Sequence, residues 1–216
     1  MTYIDDSQTR SAENRTTLMY SIYNGTTWST PQPVLDDVTA DFEAQIQPDG
    51  TGGVHILWQN ANTTFDEDVT LEQMSQEMEL YYSHWNGTTM ENTTAITSSN
   101  QNLEMTYSVV SSGNNISVVW QENSNNDSLV MSGTNSIHRR QFIDGSWQDI
   151  ENIASDLSTI NSIETGYINN SNIVVYSAKS NLDEDLEIFY YNGAETVEFT
   201  DDDVHDYSVD ILNDEV

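Results

Sequence analysis

Two stretches of the chain are close copies of each other, LMYSIYNG at residues 18–25 and LYYSHWNG at residues 80–87. Two looser copies follow, IHRRQFIDG at 137–145 and IFYYNG at 188–193. Each copy is an aromatic run that ends in Asn-Gly or Asp-Gly, a dipeptide that tolerates the positive φ angles of a two-residue type I′ hairpin turn. The copies recur at roughly 50 to 60 residues, a period typical of repeat architectures.

A second motif keeps the same period and consists of short apolar runs around an aromatic residue. It is VHILWQ at 54–59, ISVVWQE at 116–122 and IVVYS at 173–177. Because these runs are apolar on both faces, they predict buried strands. An alternating run precedes each of them and is joined to it by a Gly or Asn turn. Each repeat therefore predicts four strands, with the Trp-Gln strand second and the aromatic strand third.

Four strands per repeat predict an all-β fold, a β-propeller of about four four-stranded blades. We expect one domain over residues 1–216, with blade repeats near 1–48, 49–110, 111–168 and 169–216. Counted from the motifs, residues 1–5 form a second strand and residues 205–212 a first strand, which would complete the blade begun at the start of the chain. Four blades is the low end for propellers, so a partial ring, half of a dimeric ring and part of a larger chain stay open.

Charge is the most unusual feature of the composition. The chain has 36 Asp and Glu against 5 Lys and Arg, a net charge of -31. Such a surface repels phosphate, so we expect no nucleic-acid partner, and without a run of eighteen apolar residues we expect no membrane insertion. Molar salt shortens the Debye length to about 3 Å and screens the self-repulsion. The composition resembles that of halophilic archaeal proteins, with an acidic, calcium-rich extracellular protein as the alternative.

Cysteine and sequon usage bear on location. The chain has no Cys, which excludes a small disulfide-stapled scaffold. Asn-x-Ser/Thr sequons are dense for this length, and they favour an exported glycoprotein, extracellular or at the cell surface. They occur at Asn14, Asn24, Asn62, Asn86, Asn92, Asn115, Asn126 and Asn169. The first residues lack the basic start and apolar stretch of a signal peptide.

The stretch SIYNGTTW at residues 21–28 resembles the Asp-box of sialidase-like propellers, Ser-x-Asp-x-Gly-x-Thr-Trp. The matching positions are Ser21, Gly25, Thr27 and Trp28. Tyr23 stands where the box has Asp, and the copy at residues 83–90 is more degenerate. The acidic loops after the Trp-Gln strands also resemble repeats of archaeal and bacterial surface proteins. The resemblance implies a sialidase-like propeller of such surface proteins and supports architecture far more than activity.

Complete sets of catalytic residues are missing from the sequence. Sialidase action needs an arginine cluster for the substrate carboxylate, but Arg139 and Arg140 are adjacent on a strand and point to opposite faces. Carboxylate pairs of the kind other glycosidases use arise by chance among 36 acidic residues. We therefore predict that the protein is not an enzyme but a non-catalytic module that binds a surface glycan or protein. The alternatives are a glycan-active hydrolase of sialidase-like fold and a purely structural repeat of a large surface protein.

Candidate binding residues follow from side-chain chemistry. Flat aromatic rings suit the faces of sugars. The predicted ligand-binding residues, all at hairpin ends, are Trp28, Trp85, Trp147 and Tyr191. Acidic loops offer the oxygen ligands that Ca²⁺ prefers, and Asp183 and Asp185 are the predicted metal ligands. No other cofactor is expected.

Overall fold

The computed structural model describes residues 1–97, 103–124, 133–180 and 185–211, without the side chains of residues 103–105. The chain divides into two compact units, Met1–Gln101 and Asn102–Val216. Strands dominate both of them. The strands of the first unit are β1 (Thr2–Asp6), β2 (Thr16–Tyr20), β3 (Gln32–Pro33), β4 (Asp41–Pro48), β5 (Val54–Ala61), β6 (Met78–Trp85) and β7 (Thr94–Ala95).

The first unit contains two antiparallel sheets, ordered β1-β2-β3 and β4-β5-β6-β7. The Trp-Gln strand β5 is second in its sheet and the aromatic strand β6 is third, as predicted. β1 pairs with β2 along its whole length, which places it in the predicted second-strand position. The loops carry a 3-10 turn (Ala12–Asn14) and a short helix, α1 (Leu71–Gln76). No helix within the described ranges is long and apolar enough to cross a membrane.

The strands of the second unit form one sheet that contains two repeats. They are β8 (Leu103–Ser112), β9 (Asn115–Asn123), β10 (Asn135–Ile143), β11 (Ser146–Trp147), β12 (Glu151–Ile168), β13 (Ser171–Ser180), β14 (Glu187–Tyr191) and β15 (Thr196–Glu198). The order is β15-β14-β13-β12-β10-β9-β8, with β11 paired to β10. The first part of β12 pairs with β10 and the rest with β13, so this strand ends one repeat and begins the next.

The prediction of a first strand at residues 205–212 is wrong for its described part. Residues 201–211 contain no strand, and Ser208 has a φ of 51°, which interrupts an extended backbone. The segment is instead held by isolated hydrogen bonds, including Val209 N–H to Ser162 Oγ at 3.2 Å. The single domain and its blade boundaries remain predictions.

The three Asn-Gly turns differ from the predicted two-residue type, and the Asp-Gly turn agrees with it. Tyr23 pairs with Trp28, Trp85 with Met90, and Tyr191 with Thr196, so each loop has four residues. In each loop the Asn carboxamide oxygen accepts from two backbone N–H groups, as Asn24 Oδ1 does from Thr26 and Thr27 at 2.9 Å. The turn at Asp144-Gly145 has two residues with φ angles of 50° and 82°, which confirms the type I′ prediction there.

The cores form around the second strand of each repeat, as the apolar runs predicted. Trp58, Trp120 and Tyr176 are at most 1% exposed. In the first unit, Trp58 and Ile56 of β5 pack with Leu18 of β2, which joins the two sheets through apolar contact. This packing fixes the ends of β2 and β6 beside each other.

Candidate functional site

A cleft of about 260 Å³ opens in the first unit between its two sheets. We call it the aromatic cleft, because Tyr20, Tyr23, Trp28 and Trp85 line it. Met90 and the aliphatic residues Ile46, Val54 and Ile56 complete much of its apolar wall. The structure thus brings two of the predicted ligand-binding residues, Trp28 and Trp85, into one cavity.

Two tilted ring pairs organise the aromatic cleft. Tyr23 and Trp28 have ring centroids 5.1 Å apart and are about half exposed, at 52% and 53%. The rings of Tyr20 and Trp85 lie 5.9 Å apart and are only partly exposed. The first pair therefore forms the solvent-facing mouth of the cleft and the second pair lies deeper.

The repeat explains why aromatic side chains meet here. Tyr23 and Trp85 hold equivalent places before the Asn-Gly loops, and Trp28 and Met90 hold equivalent places after them. In the second loop Asn86 Oδ1 accepts from Thr88 and Thr89 N–H at 3.0 Å, as Asn24 does in the first. The side chains that flank each loop therefore emerge side by side, and the packing of the two sheets brings both sets to one cavity.

A hydrogen-bonded aspartate fixes the backbone beside the cleft. Asp49 accepts from Thr51 N–H at 2.7 Å, Gly53 N–H at 2.8 Å and His84 Nε2 at 3.1 Å. Burial alone would raise the pKa of Asp49, but these hydrogen bonds outweigh it and hold the pKa well below its usual range. Gly52 and Val54, on either side of Gly53, line the cleft, so this network shapes its wall.

His84 lies between two carboxylates, which the sequence did not reveal. Its Nδ1 is 3.2 Å from Glu91 Oε2, opposite the contact to Asp49, and both nitrogens can donate only in the imidazolium form. The ring of His55 stacks on it at a centroid distance of 4.9 Å. The two histidines meet because β5 and β6 pair His55 with His84, a register that sequence spacing alone does not show.

Replacing Gly53 with Ala is expected to destabilise the first unit by roughly 2–3 kcal/mol, the upper part of the usual cost of overpacking. A Cβ at this position would overlap with Asp49 Oδ2 and with the backbone oxygen of Trp85, and the latter cannot move aside without shifting β6. Urea unfolding measures the change. Gly113→Ala serves as the control: nothing lies within 4 Å of its Cβ, but its φ of 58° gives a cost of about 1 kcal/mol. Equal losses in the two variants would contradict the steric explanation.

The other two predicted ligand-binding residues belong to the second unit. Tyr191 is 7% exposed, its hydroxyl donates to Glu151, and the guanidinium of Arg139 lies 5.1 Å from its ring centroid. Arg139 also donates to Glu151 at 2.9 Å, so the three side chains tie β10, β12 and β14 together. Trp147 packs against Phe142 and under Arg140, whose guanidinium lies 5.7 Å from the indole centroid. Arg139 and Arg140 do point to opposite faces, as predicted.

The predicted metal ligands have different outcomes. Asp183 lies outside the described residues. Asp185 has one carboxylate oxygen within 4.8 Å of an oxygen of Glu187 and of Asp202. Glu187 already accepts from Thr200 Oγ1 at 2.6 Å, so one of its oxygens serves the fold. Binding of Ca²⁺ at Asp185 remains a prediction.

Comparison with known proteins identifies the fold. No family model matches the chain, and no curated protein does. Among solved structures, the Hadza microbial sialidase Hz136 is similar with a TM-score of 0.57 and 12% identity, over 91% of this chain and 43% of that one. The α-L-arabinanase of Penicillium chrysogenum, complexed with arabinobiose, has a TM-score of 0.50 and 11% identity, over 96% and 66%. A family 117 glycoside hydrolase of the marine bacterium Zobellia galactanivorans has a TM-score of 0.47 and 10% identity, over 88% and 57%.

These likenesses show that the chain has an all-β fold of the propeller type, as the repeats predicted. The chain spans less than half the length of the sialidase and about two thirds that of the arabinanase.

The prediction that the protein is not an enzyme is contradicted by the same comparison. The sialidase and the arabinanase are glycoside hydrolases, so this fold is one that carries enzymes. The prediction depended on finding catalytic motifs in the sequence. Glycosidase chemistry depends instead on the separation of two carboxylates in space, which a sequence with many acidic residues does not reveal.

Proposed function

We propose that this chain is a glycan-active propeller, on a fold used by glycoside hydrolases, and that its aromatic cleft binds a sugar ring. The observation that carries the proposal is the convergence of Tyr20, Tyr23, Trp28 and Trp85 on one cavity. The rings of Tyr23 and Trp28 are half exposed, although contact of large apolar surfaces with water is unfavourable. A paired, solvent-facing aromatic surface favours a ligand-binding site over core packing.

Size and chemistry of the cleft fit a saccharide. At about 260 Å³ it is slightly smaller than the roughly 300–1,000 Å³ of pockets for drug-sized ligands, a size suited to one or two sugar rings. The tilted rings present flat apolar faces against which the C–H groups of a pyranose stack. Thr2 and Ser21 also belong to the lining, and the Ser21 hydroxyl donates to the backbone oxygen of Ser29 at 2.8 Å.

We propose glycosidic-bond hydrolysis as the reaction class. Hydrolysis needs two carboxylates that flank the scissile bond. None of the described residues that line the cleft is Asp or Glu, so in this proposal the cleft holds the sugar and the reacting carboxylates lie beyond its lining. Release of reducing sugar from a panel of glycans, in molar KCl, tests the reaction. Turnover that a single Asp or Glu substitution abolishes would support it, and absence of turnover on every glycan that binds would contradict it.

Trp28→Ala and Trp85→Ala are each expected to weaken saccharide binding at least tenfold, because each removes one stacking ring, worth about 1.4 kcal/mol or more. Calorimetry against the glycan panel measures the affinity. Trp28 is the better probe, since it is 53% exposed and its loss leaves the core intact.

Trp147→Ala is the matched control for this experiment. Trp147 also follows a Gly turn and contacts an aromatic neighbour, but it belongs to the second unit. Its loss should leave the affinity unchanged. If Trp147→Ala weakens binding and Trp28→Ala does not, the binding site is not the aromatic cleft.

The location of such a protein is also a proposal. A glycan ligand and the density of sequons are consistent with an extracellular or cell-surface position. One of these sequons is unusable, because Asn14 is 6% exposed and exchanges hydrogen bonds with the backbone of Phe65 at 2.7 and 2.8 Å.

A further inference from the structure

We infer that the aromatic cleft selects neutral sugar rings and rejects acidic ones, including sialic acid and uronic acids. The inference rests on the proposed function of the cleft and names its substrate class. It departs from what a sialidase-like fold alone suggests, and it follows from the placement of positive charge in the first unit.

Recognition of a sugar carboxylate requires a cationic partner. Removing a carboxylate from water without a cationic partner has a large desolvation cost. The guanidinium of Arg offsets this cost with paired hydrogen bonds. The aromatic cleft has no Arg, Lys or His among its described lining residues. An acidic sugar in the cleft would therefore place its charge against aromatic rings and aliphatic side chains.

The arginines of the first unit are committed elsewhere. Arg10 donates to Asp36 at 2.8 Å and to the backbone oxygen of Thr39 at 3.1 Å. Arg15 forms an ion pair with Asp6 at 2.6 Å. Residues 1–101 contain no other Arg and no Lys, and the two His of this range, His55 and His84, are not among the residues that line the cleft.

Met1 also lines the cleft, and its backbone nitrogen carries a positive charge where it is a free amino group. This nitrogen donates to the backbone oxygen of Ser21 at 3.1 Å, so it already takes part in holding the start of β1 to the end of β2. Its role is testable, because a chain with residues added before Met1 carries an amide at this position.

The negative electrostatic field of the unit adds to the lack of cationic side chains in the cleft lining. Residues 1–101 contain fifteen Asp and Glu against two Arg, within a chain of net charge -31. Such a field lowers the local concentration of anions and slows their association, and it leaves neutral ligands unaffected. Both the local contacts and the field therefore discriminate in the same direction.

The experiment compares neutral sugars with their uronic acids, which differ only at one carbon, and with a sialoside. Methyl glucoside and methyl galactoside, and short oligosaccharides of each, are titrated beside their uronic acid counterparts and a sialoside in 2 M KCl, where the general field is screened. We expect the neutral sugars to bind at least tenfold more tightly. The Trp28→Ala variant shows that the binding measured is at the cleft.

A gain-of-function variant makes the test reciprocal. Ile46 lines the cleft and is 43% exposed, so Ile46→Arg places a guanidinium at the rim without burying it. This variant should bind uronic acids at least fivefold more tightly than the natural chain, and Ile46→Gln, a neutral control of similar length, should not. The chain extended before Met1 should keep its preference for neutral sugars.

The outcomes separate the two proposals. Acidic sugars that bind as tightly as neutral ones, with both affinities lost in Trp28→Ala, would overturn the neutral-sugar inference and leave the proposed function standing. If no sugar binds in a Trp28-dependent manner, the proposed function itself fails.

Discussion

Lowering KCl from 3 M to 0.1 M is expected to reduce the melting temperature of this protein by about 10 °C or more. With 36 acidic and 5 basic residues, mutual repulsion acts against every compact state once salt no longer screens it. For a chain of this length, 1 kcal/mol of stability corresponds to roughly 2–4 °C, so a loss of several kcal/mol produces a shift of this size.

The two arginine ion pairs of the first unit offset little of this repulsion. The pairs Arg10–Asp36 and Arg15–Asp6 include carboxylates that are 68% and 56% exposed, and such surface pairs contribute about 0–1 kcal/mol each. The acidic run at residues 66–68 is fully on the surface and next to no basic side chain in sequence. Stability at low salt therefore depends on apolar packing and internal hydrogen bonds, neither of which neutralises the net charge.

A charge variant distinguishes screening from the general stabilising effect of concentrated salt. The triple variant Asp66→Asn, Glu67→Gln, Asp68→Asn removes three exposed negative charges and little packing. It should raise the melting temperature at 0.1 M KCl and leave it nearly unchanged at 3 M, since the Debye length there is about 3 Å or less. Equal melting temperatures of the natural chain at the two salt concentrations would refute the salt-adapted interpretation.

Strand order was predictable from the sequence because two independent periodic motifs specify it. The Trp-Gln runs are apolar on both faces and became the buried second strands, and the aromatic runs became the third strands. The long β12 was not predicted, although no Pro interrupts residues 151–168 and the only Gly is Gly166. The sequence pattern does not show that one strand pairs first with β10 and then with β13.

Turn type was only partly predictable. Asn-Gly opens both a two-residue type I′ turn and the four-residue loop that the structure contains at Asn24, Asn86 and Asn192. In the four-residue loop the carboxamide oxygen of Asn accepts hydrogen bonds from the backbone N–H groups two and three residues later, as Asn192 does from Ala194 and Glu195. The helix α1 had a usable signal, since Thr70 and Gln73 form a capping box.

The candidate site was half predictable. The sequence identified Trp28 and Trp85 as hairpin-end aromatics, but their convergence depends on how two sheets pack. Tyr191 occupies the same place in its repeat as Tyr23 and Trp85 do in theirs. Its environment differs because Arg139 and Glu151 stand beside it and bury it. Equivalent positions in a repeat thus have different environments when neighbouring strands supply different charges.

The unfolding free energy of the first unit is expected to fall by about 2 kcal/mol as pH rises from 4 to 7 in 3 M KCl, because of Asp41. Burial raises the pKa of this carboxyl from its usual value of 3.8 to about 6, even though hydrogen bonds from Leu18 and Trp58 act to lower it. Asp41 is 1% exposed. The folded state therefore holds the proton more tightly than the unfolded chain, so the stabilisation is complete below pH 3.8 and is lost as pH rises through about 6.

The Asp41 side chain is nevertheless required for stability, because it joins three strands. Asp41 accepts from Leu18 N–H at 2.8 Å and from Trp58 Nε1 at 2.9 Å, so one carboxyl joins β4 to both β2 and β5. Asp41→Ala leaves both donors buried and unpaired, at about 1–3 kcal/mol each, and should cost roughly 3–5 kcal/mol in total. Asp41→Asn keeps the volume and one acceptor, and it removes the ionisable group.

The decisive measurement is the slope of unfolding free energy against pH in Asp41→Asn. The fall in unfolding free energy between pH 4 and 7 should be smaller by about 2 kcal/mol in Asp41→Asn. It should not change in Asp49→Asn, because the pKa of Asp49 is lowered and its contribution is lost only in acid below this range. An unchanged slope in Asp41→Asn would contradict the assignment.

The second unit offers an internal comparison for the same hydrogen bond. Trp120 holds the place of Trp58 in the Trp-Gln strand β9, and its buried Nε1 has no hydrogen-bond partner among the described residues. Trp58→Phe should therefore destabilise more than Trp120→Phe, since it removes a donor from a buried carboxylate, whereas the second change removes a donor that is already unpaired. The difference should grow as pH rises from 4 to 7, because only above about pH 6 does Asp41 carry the charge that the indole N–H stabilises.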